Sequence, residues 1–118
     1  MATFTKLKLS GSTDGLGILV AATATPGTAV HTAVSGTGNN NFDEIYLYAQ
    51  NNHTADVVLT VEFGGVSIAS QIIQTIPTKS GMVLVTFGNI LQNAMAVAAF
   101  AGTTNVVTLF GYVNRIAA

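Results

Sequence analysis

The 118-residue chain contains no cysteine and no tryptophan, and only 8% of its residues are charged. Without cysteine there is no disulfide framework, no thiolate metal ligand and no cysteine nucleophile. Four Lys and Arg residues stand against five Asp and Glu residues. These cations are too few to neutralise a run of phosphates, so we expect no nucleic-acid partner. The 49% hydrophobic content also argues against disorder, which goes with low hydrophobicity and high net charge.

Long hydrophobic runs are missing as well. The longest apolar stretch, residues 94–101, falls far short of the roughly 20 apolar residues that a membrane-spanning helix needs. Residues 1–6 lack the charged start and the apolar core of a secretory signal. We therefore expect no membrane partner, and a protein that is made in a cytoplasm and is retained or assembled there.

The residues left to cover the surface are Thr, Ser, Asn, Gln, Gly, Ala and Val. A domain of this size buries only about two-thirds of its unfolded surface, so a large, weakly charged surface remains exposed. Such a surface is prone to association. The composition is consistent both with obligate assembly through flat, neutral faces and with a neutral β domain that is soluble alone.

Thr, Val and Ile recur in alternating patterns between short Gly, Asn and Asp clusters, which is typical of strands. We predict one all-β domain over residues 1–118, an antiparallel β-sandwich of jelly-roll type with eight or nine strands. Residues 2–9 are expected to form an N-terminal arm or an edge strand. The predicted strands cover residues 3–9, 16–23, 28–35, 43–50, 56–63, 66–69, 71–76, 82–87 and 106–116.

Three local features of the sequence bear on where strands begin and end. Gly64-Gly65 predicts a tight hairpin that leads directly into residues 66–69. Gly88-Asn89 predicts the end of a strand. Residues 91–101 are ambiguous, because Ala and Met favour a helix whereas the flanking turns and the β context favour a strand, which we prefer.

Side chains that could carry catalysis are scarce. His31 lies within an apolar strand pattern and is interpreted as a core or interface histidine, and His53 as a solvated loop residue. Asp43 and Glu44 are neighbours on a strand, so their side chains point to opposite faces and cannot act on one substrate together. No serine lies in a Gly-x-Ser-x-Gly elbow, and the histidines have no metal-ligand spacing. We expect no enzymatic activity, no catalytic residue, no metal and no cofactor.

The glycine-rich segments 11–17 and 36–38 lack the rest of a phosphate-binding motif and are interpreted as loops. Tyr46 and Tyr48 share a strand face with Glu44. Aromatic platforms for nucleic-acid bases normally lie beside basic residues. The acidic neighbour therefore favours cross-strand packing or an anchor at a protein interface.

Five segments of the sequence together resemble one protein family. They are residues 9–15, 25–33, 43–49, 59–65 and 111–116. They are similar to small virion proteins of tailed bacteriophages, of the head decoration or capsid-cement kind. The resemblance implies a β-sandwich subunit, often trimeric, that binds the outside of the capsid and clamps neighbouring capsid proteins. The expected partners are further copies of the chain, as a homotrimer, and the major capsid protein. The expected location is the exterior of the virion, after synthesis in the host cytoplasm.

The candidate residues for such an interface combine the N-terminal strand, the tyrosine pair and an Asn-rich loop. They are Phe4, Lys6, Lys8, Tyr46, Tyr48, Asn39 and Asn40. Two alternatives stay open: a structural protein of the tail or of a head fibre, and a carbohydrate-binding β-sandwich module that would use the same tyrosines and residues 39–41. An enzyme of jelly-roll fold is a poor fit, because metal sites in that fold need a cluster of histidines and a carboxylate.

Overall fold

The computed structural model describes residues 2–118, within which the chain forms nine strands and one short 3-10 helix, Ile68–Ser70. Within this range no helix has the length and apolar character needed to cross a bilayer. The strands are β1 (Thr3–Lys8), β2 (Ile18–Leu19), β3 (Thr28–Thr32), β4 (Phe42–Asn51), β5 (Val57–Phe63), β6 (Gln71–Ile76), β7 (Val83–Leu91), β8 (Ala96–Ala101) and β9 (Val107–Ala117).

The strands form two antiparallel sheets packed face to face. The first sheet has the order β1–β9–β4–β7, with β2 pairing with β9 next to β1. The second has the order β3–β8–β5–β6. The pairs β5–β6, β4–β7, β3–β8 and β1/β2–β9 are therefore nested, as in one long hairpin rolled onto itself. This is the jelly-roll arrangement, and the predicted all-β sandwich is confirmed.

Alternation along β4 shows why these segments become strands. Ile45, Leu47 and Ala49 are fully buried, whereas Tyr46 and Tyr48 between them are partly exposed. A period of two with one apolar face is what a half-buried strand requires. The same pattern in the other strands fills the space between the sheets with aliphatic side chains. The largest fully buried ones are Leu9, Ile45, Leu47, Leu59, Ile76 and Leu109.

Residues 2–9 supply an edge strand followed by an anchor. β1 pairs with the second half of β9, and Leu9 is then buried in the core. Residues 9–17 leave the first sheet and cross to β3, where the Gly11 N–H donates to the Val30 carbonyl at 2.9 Å. The chain returns to β9 as β2. This excursion closes one side of the sandwich.

Two predicted strands are corrected by the structure. Of residues 16–23, only Ile18–Leu19 pairs as a strand, because the chain then leaves β9 and folds towards the second sheet. Residues 66–69 are not the second arm of a tight hairpin, since β5 pairs with Gln71–Ile76 instead. The Ser70 N–H donates to the Ser67 carbonyl at 2.9 Å, and this turn of 3-10 helix occupies the connection.

Two other boundaries also differ. Gly88-Asn89 does not end a strand, because Gly88 (φ +95°) lies at a register shift between β7 and β4, and the strand continues to Leu91. A glycine at positive φ serves a β-bulge as readily as a turn. Residues 91–101 divide into the end of β7, a turn and β8, so the preferred strand is confirmed only for Ala96–Ala101.

Glu62 fixes the segment that covers part of the second sheet. Its carboxylate is buried and accepts hydrogen bonds from the Thr25 hydroxyl at 2.5 Å and from the Gly27 N–H at 2.8 Å. Hydrogen bonds to charged groups contribute roughly 1.5–3 kcal/mol each. The carboxylate therefore attaches residues 25–27 to β5.

We predict that Glu62→Gln lowers the free energy of unfolding by about 2 kcal/mol, because an amide offers only one acceptor oxygen to the two donors. Urea denaturation followed by circular dichroism measures this. Glu44→Gln, on the half-exposed face of β4, is the matched control and is expected to change stability by no more than about 0.5 kcal/mol. Equal losses in the two variants would contradict the role given to Glu62.

Candidate interaction face

The outer face of the β1–β9–β4–β7 sheet collects most of the aromatic side chains. Strand alternation and register place seven of the nine aromatic residues of the chain on this face. We call this surface the aromatic face, defined by Phe4, Phe42, Tyr46, Tyr48, Phe87, Phe110 and Tyr112. Leu84 and Ile90 of β7 lie on the same side, opposite Tyr48 and Glu44. Phe87 is 70% exposed and Phe4 63% exposed, whereas the other five aromatic residues are only partly exposed.

A stack of rings runs across the middle of the aromatic face. Tyr46 and Tyr112 are directly paired, with ring centroids 4.7 Å apart and planes within 4°. This distance equals the spacing of neighbouring strands, about 4.7–4.9 Å. The rings therefore stand upright on the sheet, with their faces against each other and their edges towards solvent. The Lys6 ammonium lies 4.4 Å from the Tyr112 centroid, where it makes a cation–π contact.

Gly88 makes room for the other end of this stack. A Cβ atom at Gly88 would lie 3.1 Å from the Tyr46 hydroxyl oxygen. The bulge at this glycine thus lets the Tyr46 ring lie against the backbone of β7. Lys6, Tyr112, Tyr46 and Gly88 form one continuous row across four strands.

The predicted interface residues divide into two groups. Phe4, Lys6 and Lys8 of β1 and the two tyrosines of β4 all lie on the aromatic face. Asn39 and Asn40 do not: they are exposed in the connection between β3 and β4, at one end of the sandwich. The structure therefore brings together the strand residues and separates the loop residues from them.

The sequence interpretation missed four members of the face, Phe42, Phe87, Phe110 and Tyr112. Alternation on β9 carried a signal for two of them. Val107, Leu109 and Val113 alternate along the strand and are all buried, which leaves Phe110 and Tyr112 on the other face. For Phe87 no such signal exists, because two register shifts between β4 and β7 break the alternation.

A cluster of hydrogen-bonded charged and polar side chains lies inside the sandwich, on the side that residues 9–17 close. Asp43 is fully buried, and both of its carboxylate oxygens bind Arg115, at 2.8 Å (Nε to Oδ1) and 3.0 Å (Nη2 to Oδ2). His31 Nε2 lies 2.7 Å from Asp43 Oδ2. The cluster connects β3 of one sheet with β4 and β9 of the other. As predicted, Asp43 and Glu44 point to opposite faces, and His31 is a buried histidine with polar partners.

His31 reaches this position through a bulge. Simple alternation predicts that Val30 and His31 point to opposite faces, yet both are buried. The register between β3 and β8 shifts between Ala29 and His31. The shift turns the imidazole inward, against the orientation that simple alternation predicts.

Asp43 and Arg115 stabilise the charged form of each other. Burial raises the pKa of Asp43, but hydrogen bonds from Arg115 and His31 outweigh burial and hold the pKa below its ordinary value. The bond to Asp43 correspondingly raises the pKa of Arg115. Asp43 is therefore a carboxylate in the folded protein.

Ser10, His31 and Asp43 lie in line, but their hydrogen bonds differ from those of a nucleophile–base pair. The Ser10 hydroxyl oxygen lies 3.1 Å from His31 Nδ1, and the Ser10 N–H donates to the same nitrogen at 3.0 Å. The Thr32 N–H donates to the Ser10 hydroxyl oxygen at 2.7 Å, and the Gly11 N–H is bound to Val30. The nearby backbone donors that could stabilise an oxyanion thus already have partners. The geometry fits a structural attachment of the segment after β1.

Comparison of the chain with protein-family models, with curated proteins and with solved structures finds no match.

Proposed function

We propose that the protein is a structural subunit of a tailed-phage virion, a head decoration or cement protein that binds the outside of the capsid as a homotrimer. The observation that carries the proposal is the aromatic face, on which four large apolar side chains are exposed beside five partly exposed aromatic rings. Contiguous exposed apolar surface of this kind marks sites of protein association.

The charge pattern supports the same function. Lys6, Lys8 and Glu44 are the charged residues on the outer face of the first sheet, and the Lys6 ammonium already lies over a ring. A partner can therefore cover the middle of the face while few ions lose their water. Desolvating ions is the expensive part of burying polar surface.

The orientation of the rings favours a protein partner over a sugar. A sugar stacks on the flat face of an aromatic ring, but the faces of Tyr46 and Tyr112 lie against each other. The ring edges face solvent instead. Tyrosine edges with a polar tip suit protein interfaces, where one ring contributes both apolar area and a hydrogen bond. The fold adds an analogy, since jelly rolls are common among viral capsid proteins.

The proposal is tested with heads from the phage that encodes the chain, produced with its gene deleted. We expect the purified chain to scatter light as a trimer, to sediment with expanded heads and to raise their resistance to heat. A stable monomer that does not bind the heads would contradict the proposal. Binding to tails or fibres, seen by electron microscopy of the particle, would instead favour the alternative location.

We predict that the double substitution Phe87→Asn and Ile90→Asn weakens trimer formation or head binding at least tenfold, because it removes two exposed apolar side chains from the aromatic face. Light scattering and cosedimentation measure both. Ile73→Asn is the matched control: Ile73 is 63% exposed, but it lies on the other sheet. Circular dichroism should show that all variants fold. Equal weakening by Ile73→Asn, or none in the double variant, would exclude the aromatic face as the interface.

A further inference from the structure

His31 joins two parts of the molecule through the two nitrogens of one ring. Nε2 is 2.7 Å from Asp43 Oδ2, and Nδ1 accepts the Ser10 N–H at 3.0 Å. A backbone N–H can only donate, so Nδ1 must carry no proton. Nε2 then carries the proton and donates to the carboxylate. The hydrogen bonds thus define a neutral imidazole of one tautomer.

We propose that His31 is a proton-sensitive clasp: protonation of its ring releases the Ser10 backbone from β3 and loosens residues 9–17, which close this side of the sandwich. A protonated ring has an N–H at both nitrogens. The new Nδ1–H points at the Ser10 N–H, and two donors cannot bind each other. The Ser10 N–H thereby loses its acceptor.

The groups around the ring come from four parts of the chain. β4 contributes Asp43 and β9 contributes Arg115, which are the charged groups of the cluster. The residue paired with His31 on β8 is Val97, and the segment after β1 contributes Ser10. Arg115 already forms two hydrogen bonds with the carboxylate. Protonation therefore places a second cation next to an anion that is paired.

The release is confined to one attachment. The Ser10 hydroxyl oxygen, 3.1 Å from Nδ1, can accept the new proton, so the Ser10 side chain stays in contact with the ring while its backbone does not. Two bonds to β3 then hold the segment, from the Gly11 N–H to the Val30 carbonyl and from the Thr32 N–H to the Ser10 hydroxyl oxygen. We expect local opening of residues 9–17, with the two sheets intact.

Amide hydrogen exchange measured by NMR at pH 8 and pH 5 tests the clasp, because acidification favours the protonated ring. We expect the protection factor of the Ser10 amide to fall on the order of tenfold on acidification, as for one hydrogen bond lost. The core amide of Leu47 is expected to keep its protection. Ser10→Ala removes the remaining acceptor and should enlarge the fall.

The chain has two histidines, which gives a matched pair of variants. His53→Gln should keep the pH response, and His31→Gln should abolish it. The wild-type imidazole nitrogen shifts at pH 8 provide a reading that needs no variant at position 31, and they should show Nδ1 without a proton. A proton on Nδ1 at pH 8, or equal Ser10 protection at the two pH values, would overturn the proposal. So would a response that persists in His31→Gln.

Discussion

Replacing Asp43 by asparagine is expected to lower the free energy of unfolding by about 3 kcal/mol. Removing one partner of a buried ion pair costs roughly 3–5 kcal/mol, because the other charge stays buried without compensation. The lower end applies because the Arg115 side chain is 29% exposed and retains some water. The substitution also presents an amide to His31 Nε2, which loses a charged acceptor.

Urea denaturation at pH 7 measures this loss. Asp14→Asn makes the same chemical change at an exposed turn position with φ +56°, a conformation that asparagine tolerates. We expect the control to stay within about 0.5 kcal/mol of the wild type. If both variants unfold at the wild-type urea midpoint, the cluster contributes nothing measurable and its assigned role is wrong.

The Asp43 carboxylate also predicts how the stability of the fold changes on acidification. The pKa of Asp43 is lower in the folded protein than its ordinary value, so on acidification the unfolded chain takes up this proton first. The stability contributed by Asp43 is complete above about pH 4 and is lost as the pH falls through the folded-state value. We predict that stability measured between pH 5 and pH 2 falls less steeply for Asp43→Asn than for the wild type. Parallel pH profiles would contradict this assignment.

The sequence was sufficient to predict the strands that are buried on one face. On β4 every second residue from Ile45 to Ala49 is apolar, and this period defines the strand, its inward face and the opposite orientations of Asp43 and Glu44. The jelly-roll class followed from the number and spacing of such strands. The nested strand order could not be derived in this way, because it depends on contacts between residues far apart in the chain.

Bulges account for the local errors. At Gly88 a turn and a bulge both need a residue with positive φ, so the residue type cannot distinguish them. At His31 the register shift on β3 cannot be recognised from the residue types. Alternation therefore predicts the ring on the face of β3 that Val30 does not occupy. The buried cluster was missed for the same reason. Its three side chains come from three strands whose register only the folded chain determines.

The aromatic face could be predicted from the sequence only in part. Three of its seven aromatic residues, Phe4, Tyr46 and Tyr48, were among the predicted interface residues. The stack of Tyr46 on Tyr112 required that β4 and β9 be neighbours in one register. That register depends in turn on a close approach of the two backbones at Gly111.

Gly111 lies in the middle of β9, opposite Leu47 of β4. A Cβ atom at this position would overlap the Tyr46 carbonyl oxygen and would lie 3.1 Å from the Tyr46 carbonyl carbon and 3.3 Å from the Leu47 Cα. All three neighbours are backbone atoms, so no side chain can rotate away. Only glycine allows the strands to approach this closely.

We therefore predict that Gly111→Ala lowers the free energy of unfolding by about 3 kcal/mol, the upper end for overpacking, because β4 and β9 must separate locally to admit the methyl group. Urea denaturation gives the loss. Near-ultraviolet circular dichroism should also change, since the Tyr46 backbone moves and its ring shifts on Tyr112. Gly102→Ala is the control, because a Cβ there meets open space and is expected to change stability by no more than about 0.5 kcal/mol. Equal urea midpoints for the two variants would mean that the sheet tolerates the methyl group and that the close approach at Gly111 does not set the register of the aromatic face.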